Sequence, residues 1–152
     1  MNILSLKKNM PATKTTTDYK IIDFAGIAGQ VLKWRKEGRS LVFSNGCFDL
    51  LHAGHVRYLQ TAATFADIFI LGLNADSSVR KLKGSQRPIM SQDDRALLLS
   101  ALEVIDCVVV FDEETPARLI ETVLPDVLVK GGDYLAEDIV GYDVVTKYGG
   151  RV

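Results

Sequence analysis

The chain has 152 residues, which suits one domain able to bury about two thirds of its unfolded surface. Its 47% hydrophobic and 24% charged content is ordinary for a globular protein, and a net charge of −1 gives no overall attraction to a polyanion. These values argue against a general nucleic-acid binder, and no apolar run reaches the roughly 18 residues of a membrane helix.

The cysteines, Cys47 and Cys107, lack the CxxC spacing of zinc sites and redox motifs. They are predicted to be reduced packing thiols of a cytoplasmic protein, and no metal-ligand cluster is expected.

Residues 1–17 are polar and threonine-rich without periodicity, so they are predicted to be a disordered leader before a single domain at 18–152. A helix is predicted from Phe24, because Ile27, Val31 and Trp34 follow helical spacing and basic residues precede Gly38.

The central segment, residues 40–66, combines a strand, a turn and a helix. An apolar strand at 41–43 leads through Asn45 and Gly46 into a helix whose first turn contains His52, Gly54 and His55. Backbone N–H groups and the helix dipole at such a terminus favour phosphate binding.

The following segments alternate in the same way. An apolar strand is predicted at 68–73, a basic mobile loop at 80–88, and a helix capped by Ser91. A strand at 107–111, a helix starting at Thr115-Pro116 and ending near Leu124, a strand at 127–129 and a helix at about 139–148 complete the chain.

This alternation predicts an α/β fold, a doubly wound parallel sheet of the Rossmann-like type. Ligands of such sheets bind beyond the carboxyl ends of the strands. The polar segments 45–55, 74–76 and 130–134 are therefore expected to meet at one edge.

The two histidines have two interpretations. One of them could cap the helix or fill the core while the other lies on the surface. Alternatively, His52 and His55 share one helix face and bind phosphate, with Gly54 letting a nucleotide approach the backbone.

The segment Asn45–His55 resembles the G-x-F-D-x-x-H-x-G-H signature of the cytidylyltransferase-like nucleotidyltransferases. Later segments resemble the heptose 1-phosphate adenylyltransferases within that superfamily, and together the similarity covers about residues 38–152. These segments are 72–76, 83–84, 87–88, 111, 115–116 and 129–134.

The resemblance implies transfer of AMP from ATP, with Mg²⁺, to a heptose 1-phosphate, which yields ADP-heptose for the lipopolysaccharide core. Relatives tend to be dimers and can be fused to a heptose kinase domain. A cytidylyltransferase acting on glycerol 3-phosphate, and a nucleotide-binding module without turnover, are the alternatives. Family members also continue beyond the region of Val152 into a phosphate-binding Ser-Thr-Thr segment, so the phosphate site is expected to be half built in the residues given.

By resemblance, His52, His55 and Lys83 are the catalytic residues. The expected nucleotide-binding residues are Gly46, Cys47, Phe48, Asp49, Gly54, Asn74, Arg87, Arg95, Gly131, Gly132, Asp133 and Tyr134.

Several of these assignments have alternatives. Asp49 either orients a neighbouring group or only stabilises the turn. The charges near Lys83 are either a solvated surface or a phosphate site, and Gly131-Gly132 is either a plain strand-end turn or backbone contact to the nucleotide. A cation in the first turn, Arg95, opposes the helix dipole and is expected to pair with Asp76 or a phosphate.

Overall fold

The structure, a computed structural model, describes residues 17–132 and 134–152. The predicted leader lies outside this range except for Thr17, which begins a 3₁₀ turn at Thr17–Lys20. The Thr17 hydroxyl lies 2.6 Å from the Ser100 hydroxyl, so Thr17 belongs to the domain rather than to the leader.

One or two helices connect each strand to the next along the chain. The strands are β1 (Ile21–Ile22), β2 (Leu41–Gly46), β3 (Ile68–Asn74), β4 (Cys107–Phe111) and β5 (Val127–Leu128). The helices are α1 (Phe24–Lys36), α2 (Ala53–Ala63), α3 (Asp76–Lys83), α4 (Gln92–Ser100), α5 (Ala117–Val123) and α6 (Tyr142–Lys147). All strand pairs are parallel, in the order β1-β4-β3-β2-β5.

The sheet is covered on both faces. One core cluster joins the sheet to α1, α5 and α6, and the other joins it to α2 and α4. All seven residues of β3 are buried, as expected for an interior parallel strand. This confirms the predicted doubly wound, Rossmann-like α/β fold in one domain.

One strand and one helix were not predicted. Strand β1 pairs with β4 over two residues, too short a run for hydrophobic periodicity to reveal. The basic segment predicted as a loop begins as the last turn of α3, whose acidic Asp76 and basic Arg80, Lys81 and Lys83 complement the helix dipole. The helix ends at Gly84, where φ is 95°.

Helix boundaries agree in part with the prediction. The Ser91 cap is confirmed, because its Oγ accepts a 3.2 Å hydrogen bond from the Asp94 N–H. Helix α5, however, begins after Pro116 and has no side-chain cap, so the predicted Thr115 cap is wrong. The last helix is shorter than predicted because it begins only at Tyr142, after the N-cap Gly141, where φ is 95° and a Cβ would lie 2.8 Å from Ile120.

Candidate active site

A cavity of about 1030 Å³ lies at the carboxyl ends of the strands, the edge that the sequence predicted. It is lined by twelve of the predicted site residues: Gly46, Cys47, Phe48, Asp49, His52, His55, Asn74, Lys83, Arg87, Gly131, Gly132 and Tyr134. Gly54 and Arg95 do not line it, and Asp133 lies outside the described residues.

His52 is the N-cap of α2 rather than a residue of its first turn. Its Nδ1 accepts hydrogen bonds from the N–H groups of Gly54, at 3.1 Å, and His55, at 3.4 Å. These two amides are therefore occupied by the cap in this structure, and phosphate binding at the terminus stays a prediction. Because Nδ1 is the acceptor, Nε2 is the nitrogen left for a ligand.

The two imidazole rings stack on each other, although His52 lies outside the helix and the pair does not share one helix face. Their ring centroids are 3.8 Å apart and the planes differ by 24°. Gly54 makes this arrangement possible, since a Cβ there would lie 2.9 Å from His52 Cε1. Gly54 thus accommodates the His52 ring, and its predicted role as an approach for the nucleotide stays a prediction.

His55 is the more buried of the pair. Its Nδ1 is buried and has no hydrogen-bond partner among the described residues, and the Phe48 ring packs edge-on at 5.2 Å. Burial, followed by repulsion from His52 when that ring is protonated and from the charge of Lys83, lowers the pKa of His55 despite an opposing effect of the Leu50 backbone. An anion in the cavity would act in the opposite direction and favour the imidazolium.

The turn between β2 and α2 adopts an unusual backbone conformation at Phe48. Its φ of 45° is in the left-handed region, which costs a non-glycine residue about 1–3 kcal/mol. At Gly46 a Cβ would lie 2.9 Å from the Phe48 ring, so the glycine permits the ring to fold back. Hydrogen bonds of the two neighbouring residues, from Arg95 to the Cys47 carbonyl and from the Ile89 N–H to Asp49, hold this conformation.

Asp49 connects this turn to the segment after α3. Its Oδ2 accepts from Arg87 Nη1 at 2.7 Å, and its Oδ1 accepts from the Ile89 N–H at 2.7 Å and the Met90 N–H at 3.3 Å. Burial raises the pKa of Asp49, but these hydrogen bonds and the Arg87 charge outweigh it and leave the pKa below its usual value. Of the two interpretations, the contacts support the orienting one, with Arg87 as the oriented group.

Lys83 and Arg87 supply positive charge on the β3 side of the cavity. Lys83 is exposed in the last turn of α3, and its charge contributes to the lowered pKa of His55. Arg87 keeps 43% of its side chain exposed while paired to Asp49. Both can therefore reach an anionic ligand.

Arg95 lies beneath the cavity, with its side chain fully inaccessible. It donates to Asp76 Oδ1 at 2.7 Å and to the carbonyls of Cys47 at 2.6 Å, Asn74 at 2.8 Å and Met90 at 3.1 Å. The expected pairing with Asp76 is confirmed, whereas direct nucleotide binding by Arg95 is wrong because a ligand cannot reach it. Arg95 joins the ends of β2 and β3 and so supports the Phe48 turn.

The segment after β5 forms the opposite wall. Gly131 packs against the Tyr58 ring, and Gly132, with φ of 115°, lies against the Tyr134 ring. Lys130 also lines the cavity; the sequence placed it in the polar segment 130–134 at this edge but not among the predicted nucleotide-binding residues. The sequence could have identified Lys130, since it is the first charged residue after a buried strand.

The thiols differ in position. Cys107 is buried in β4, and burial, with a smaller effect of Asp106, raises its pKa to about 12. Cys107 therefore fits the predicted packing role. Cys47 is half-buried and lines the cavity, so packing alone does not describe it.

Among the described residues, no group of three or more His, Cys, Asp or Glu side chains could hold a metal ion. In the same part of the chain, every helix is too short or too polar to span a membrane.

Comparison with curated proteins gives relatives that are much longer than this chain. The bifunctional protein HldE of Geobacter metallireducens is 57% identical over 136 residues, which cover 90% of this chain and 28% of the relative. That of Wolinella succinogenes is 64% identical over 113 residues, covering 74% and 24%. The chain thus spans about a quarter of the length of these relatives.

A solved structure shares the fold over most of its length. The lipopolysaccharide core biosynthesis protein from Thermoplasma volcanium superposes with a TM-score of 0.62 at 27% identity, over 76% of this chain and 93% of the other. The cytidylyltransferase-like family matches residues 43–151, which include most of β2, all of β3 to β5 and the residues lining the cavity on both sides. With the stacked histidine pair at the start of α2, this match shows that the chain belongs to the cytidylyltransferase-like family.

Proposed function

We propose that this domain transfers AMP from ATP to D-glycero-β-D-manno-heptose 1-phosphate, giving ADP-heptose and pyrophosphate for the lipopolysaccharide core. The observation that supports this most directly is the stacked pair of His52 and His55 beside Lys83 and Arg87 in one cavity. The HldE relatives and the named role of the Thermoplasma volcanium protein in lipopolysaccharide core biosynthesis support the substrate class.

The proposed reaction needs positioning and charge neutralisation rather than a protein nucleophile. An oxygen of the sugar phosphate attacks the α-phosphorus of ATP, the bond from that phosphorus to the bridging oxygen breaks, and pyrophosphate leaves. His52 Nε2, His55, Lys83 and Arg87 are the groups that would donate to the phosphate oxygens. Their positive charge compensates the charge that develops on the leaving group.

Mg²⁺ enters this proposal as part of the MgATP substrate. Magnesium is commonly held by phosphate oxygens with only one or two protein carboxylates. Asp49, the buried carboxylate nearest the histidine pair in sequence, is already engaged by Arg87 and two amides. We therefore assign no protein ligand to the ion.

A test of the function uses purified chain, ATP, Mg²⁺ and a panel of sugar 1-phosphates, with pyrophosphate release and nucleotide sugar measured separately. We expect ADP-heptose with the β-configured heptose substrate and at least a 100-fold loss with His55→Ala, as for removal of one transition-state donor. Arg57→Ala is the control, because Arg57 is exposed on the same helix and does not line the cavity. Unchanged turnover in His55→Ala would refute the role of that histidine.

The family match itself favours a second candidate, a cytidylyltransferase acting on glycerol 3-phosphate or another small phosphate. A nucleotide panel separates the two, since preference for CTP over ATP would replace the first proposal by the second. Calorimetry that shows nucleotide binding with no product from any acceptor would instead indicate a binding module without turnover.

We further propose a cytoplasmic location. Both thiols among the described residues are free, including the accessible Cys47 beside the nucleotide cavity, and a reducing compartment keeps thiols in that state.

A further inference from the structure

Lys130 is a partly buried cation that the proposed nucleotide contacts leave unused. It follows β5, and its Nζ lies 3.5 Å from the Asn45 carbonyl oxygen and 3.4 Å from Asn45 Oδ1. Both distances are at the long limit for a hydrogen bond. Among residues 17–132 and 134–152, no carboxylate lies within ion-pair distance of this ammonium.

Within the described ranges, which leave out Asp133, this ammonium has only the two long Asn45 contacts as compensation. Burial lowers the pKa of Lys130, and the nearby Cys47 acts only weakly in the other direction. A buried charge is stable when it is paired and hydrogen-bonded, and phosphate is a favourable partner for a lysine. An anion bound in the cavity would therefore stabilise the charged form of Lys130.

The sheet order places Lys130 on a different side of the cavity from the other cations. Strand β2 lies between β3 and β5, and Lys83 and Arg87 follow β3 whereas Lys130 follows β5. The turn after β2, with His52 and His55, lies between these two groups. Two separate anionic groups, one on each side of the histidines, would pair with Lys130 and with the cations that follow β3.

A side pocket adjoins the main cavity next to Lys130. Its volume is about 140 Å³, well below the roughly 300–1,000 Å³ of pockets for drug-sized ligands. It includes Asn45, Pro116, Lys130, Tyr134, Asp138 and Val140, and none of His52, His55, Lys83 or Arg87.

The lining suits a sugar. Asp138 and Asn45 offer oxygen atoms that accept hydrogen bonds from hydroxyl groups, while Pro116, Val140 and the exposed Tyr134 ring offer apolar surface for the C–H faces. A triphosphate would find one cation here and an acidic side chain beside it. The pocket is thus better matched to a sugar bearing one phosphate at the Lys130 end.

Taking the proposed function as the basis, we propose that Lys130 binds the phosphate of the acceptor and that the side pocket holds its sugar. In this arrangement the acceptor phosphate lies on the β5 side of the histidines and ATP phosphates lie on the β3 side. Lys130 is then a substrate-binding residue for the acceptor and not for the nucleotide.

The experiment compares wild-type chain with Lys130→Met, which removes the charge and keeps an unbranched side chain. Binding of ATP is measured by calorimetry first. Binding of D-glycero-β-D-manno-heptose 1-phosphate, and of the same sugar without phosphate, is then measured on protein saturated with a non-hydrolysable ATP analogue. Lys36→Met is the matched control, because Lys36 is exposed on α1 and this substitution removes the same charge.

We expect Lys130→Met to weaken binding of the sugar phosphate about 10- to 100-fold, the loss of one charge-assisted hydrogen bond. ATP affinity should stay within about twofold, and the melting temperature should not fall, because the variant removes a partly buried charge that is not paired by a carboxylate of residues 17–132 or 134–152. Lys36→Met should change none of these values.

The possible failures are distinguishable. Wild type that binds ATP but no sugar phosphate refutes the proposed function and this inference with it. Wild type that binds both, with Lys130→Met losing ATP affinity or leaving the sugar phosphate affinity unchanged, refutes the inference alone. A large drop in melting temperature would assign Lys130 a structural role and would also overturn it.

Discussion

Replacing Arg95 with methionine tests whether a buried arginine supports the active-site turn. The side chain is fully inaccessible and makes hydrogen bonds to one carboxylate and three carbonyls, including that of Cys47 next to Phe48. Removing one partner of a buried ion pair costs about 3–5 kcal/mol. Because 26% of the Asp76 side chain is exposed, water screens part of the charge left behind, and the lower end, about 3 kcal/mol, is expected.

For a domain of this length, 1 kcal/mol shifts the melting temperature by about 2–4 °C. Arg95→Met should therefore lower it by about 6–12 °C, with a matching loss in urea unfolding at constant slope. Arg57→Met is the control, since Arg57 is exposed and should change stability by less than about 0.5 kcal/mol. ATP affinity, measured where both proteins are folded, should also fall because the turn at Phe48 loses its support.

A second substitution separates the ion pair from packing. Adding Asp76→Asn to Arg95→Met removes the unpaired carboxylate, so the double variant should be more stable than the sum of the single losses predicts. A loss below about 1 kcal/mol for Arg95→Met, or strict additivity in the double variant, would refute the electrostatic argument.

Gly54→Ala should displace the His52 ring, which a Cβ would approach to 2.9 Å, and weaken ATP binding in calorimetry. Gly29→Ala, with no neighbour within 4 Å on α1, should instead raise stability by about 0.5–1 kcal/mol, and equal effects of the two would contradict this. Because burial lowers the pKa of His55, unfolding free energy should fall as pH drops below about 6.5 towards the lowered pKa, and His55→Gln should reduce that fall in urea titrations. Asp49→Asn should cost about 1–2 kcal/mol at pH 7, since its partly exposed ion pair is lost while one acceptor remains. As the pKa of Asp49 is below 3.8, this difference should disappear as pH falls through that lowered pKa, and a difference that persists would exclude the ionic explanation.

Much of the site could be predicted because its residues follow buried strands. Gly46, Asn74 and Gly131 lie at or just after strand ends, and local sequence reveals both the strand and where it stops. Parallel topology then brings those ends to one edge. Lys130 occupies an equivalent position after β5, and only its place in the cavity distinguishes it from an ordinary strand-end lysine.

The side-chain partners could not be predicted in the same way. The sequence left phosphate open as a partner of both the helix terminus and Arg95, whereas in the structure His52 caps the terminus and Asp76, the other expected partner, pairs with Arg95. Burial decided the second case, since a guanidinium with no exposed surface cannot bind a ligand from the cavity. The sequence did not predict strand β1, because two residues are too few to show a hydrophobic period.

The amino-acid sequence by itself determined the order of strands β2 to β5 and of most helices, the parallel sheet and the edge at which the cavity lies. These features depend on local periodicity and on connection rules that act along the chain. Tertiary structure decided which side chains meet, as in Asp49 with Arg87, 38 residues apart, and it decided between Asp76 and a phosphate as the partner of Arg95. Such contacts depend on distances and side-chain directions between separate elements, and spacing along one element does not contain that information.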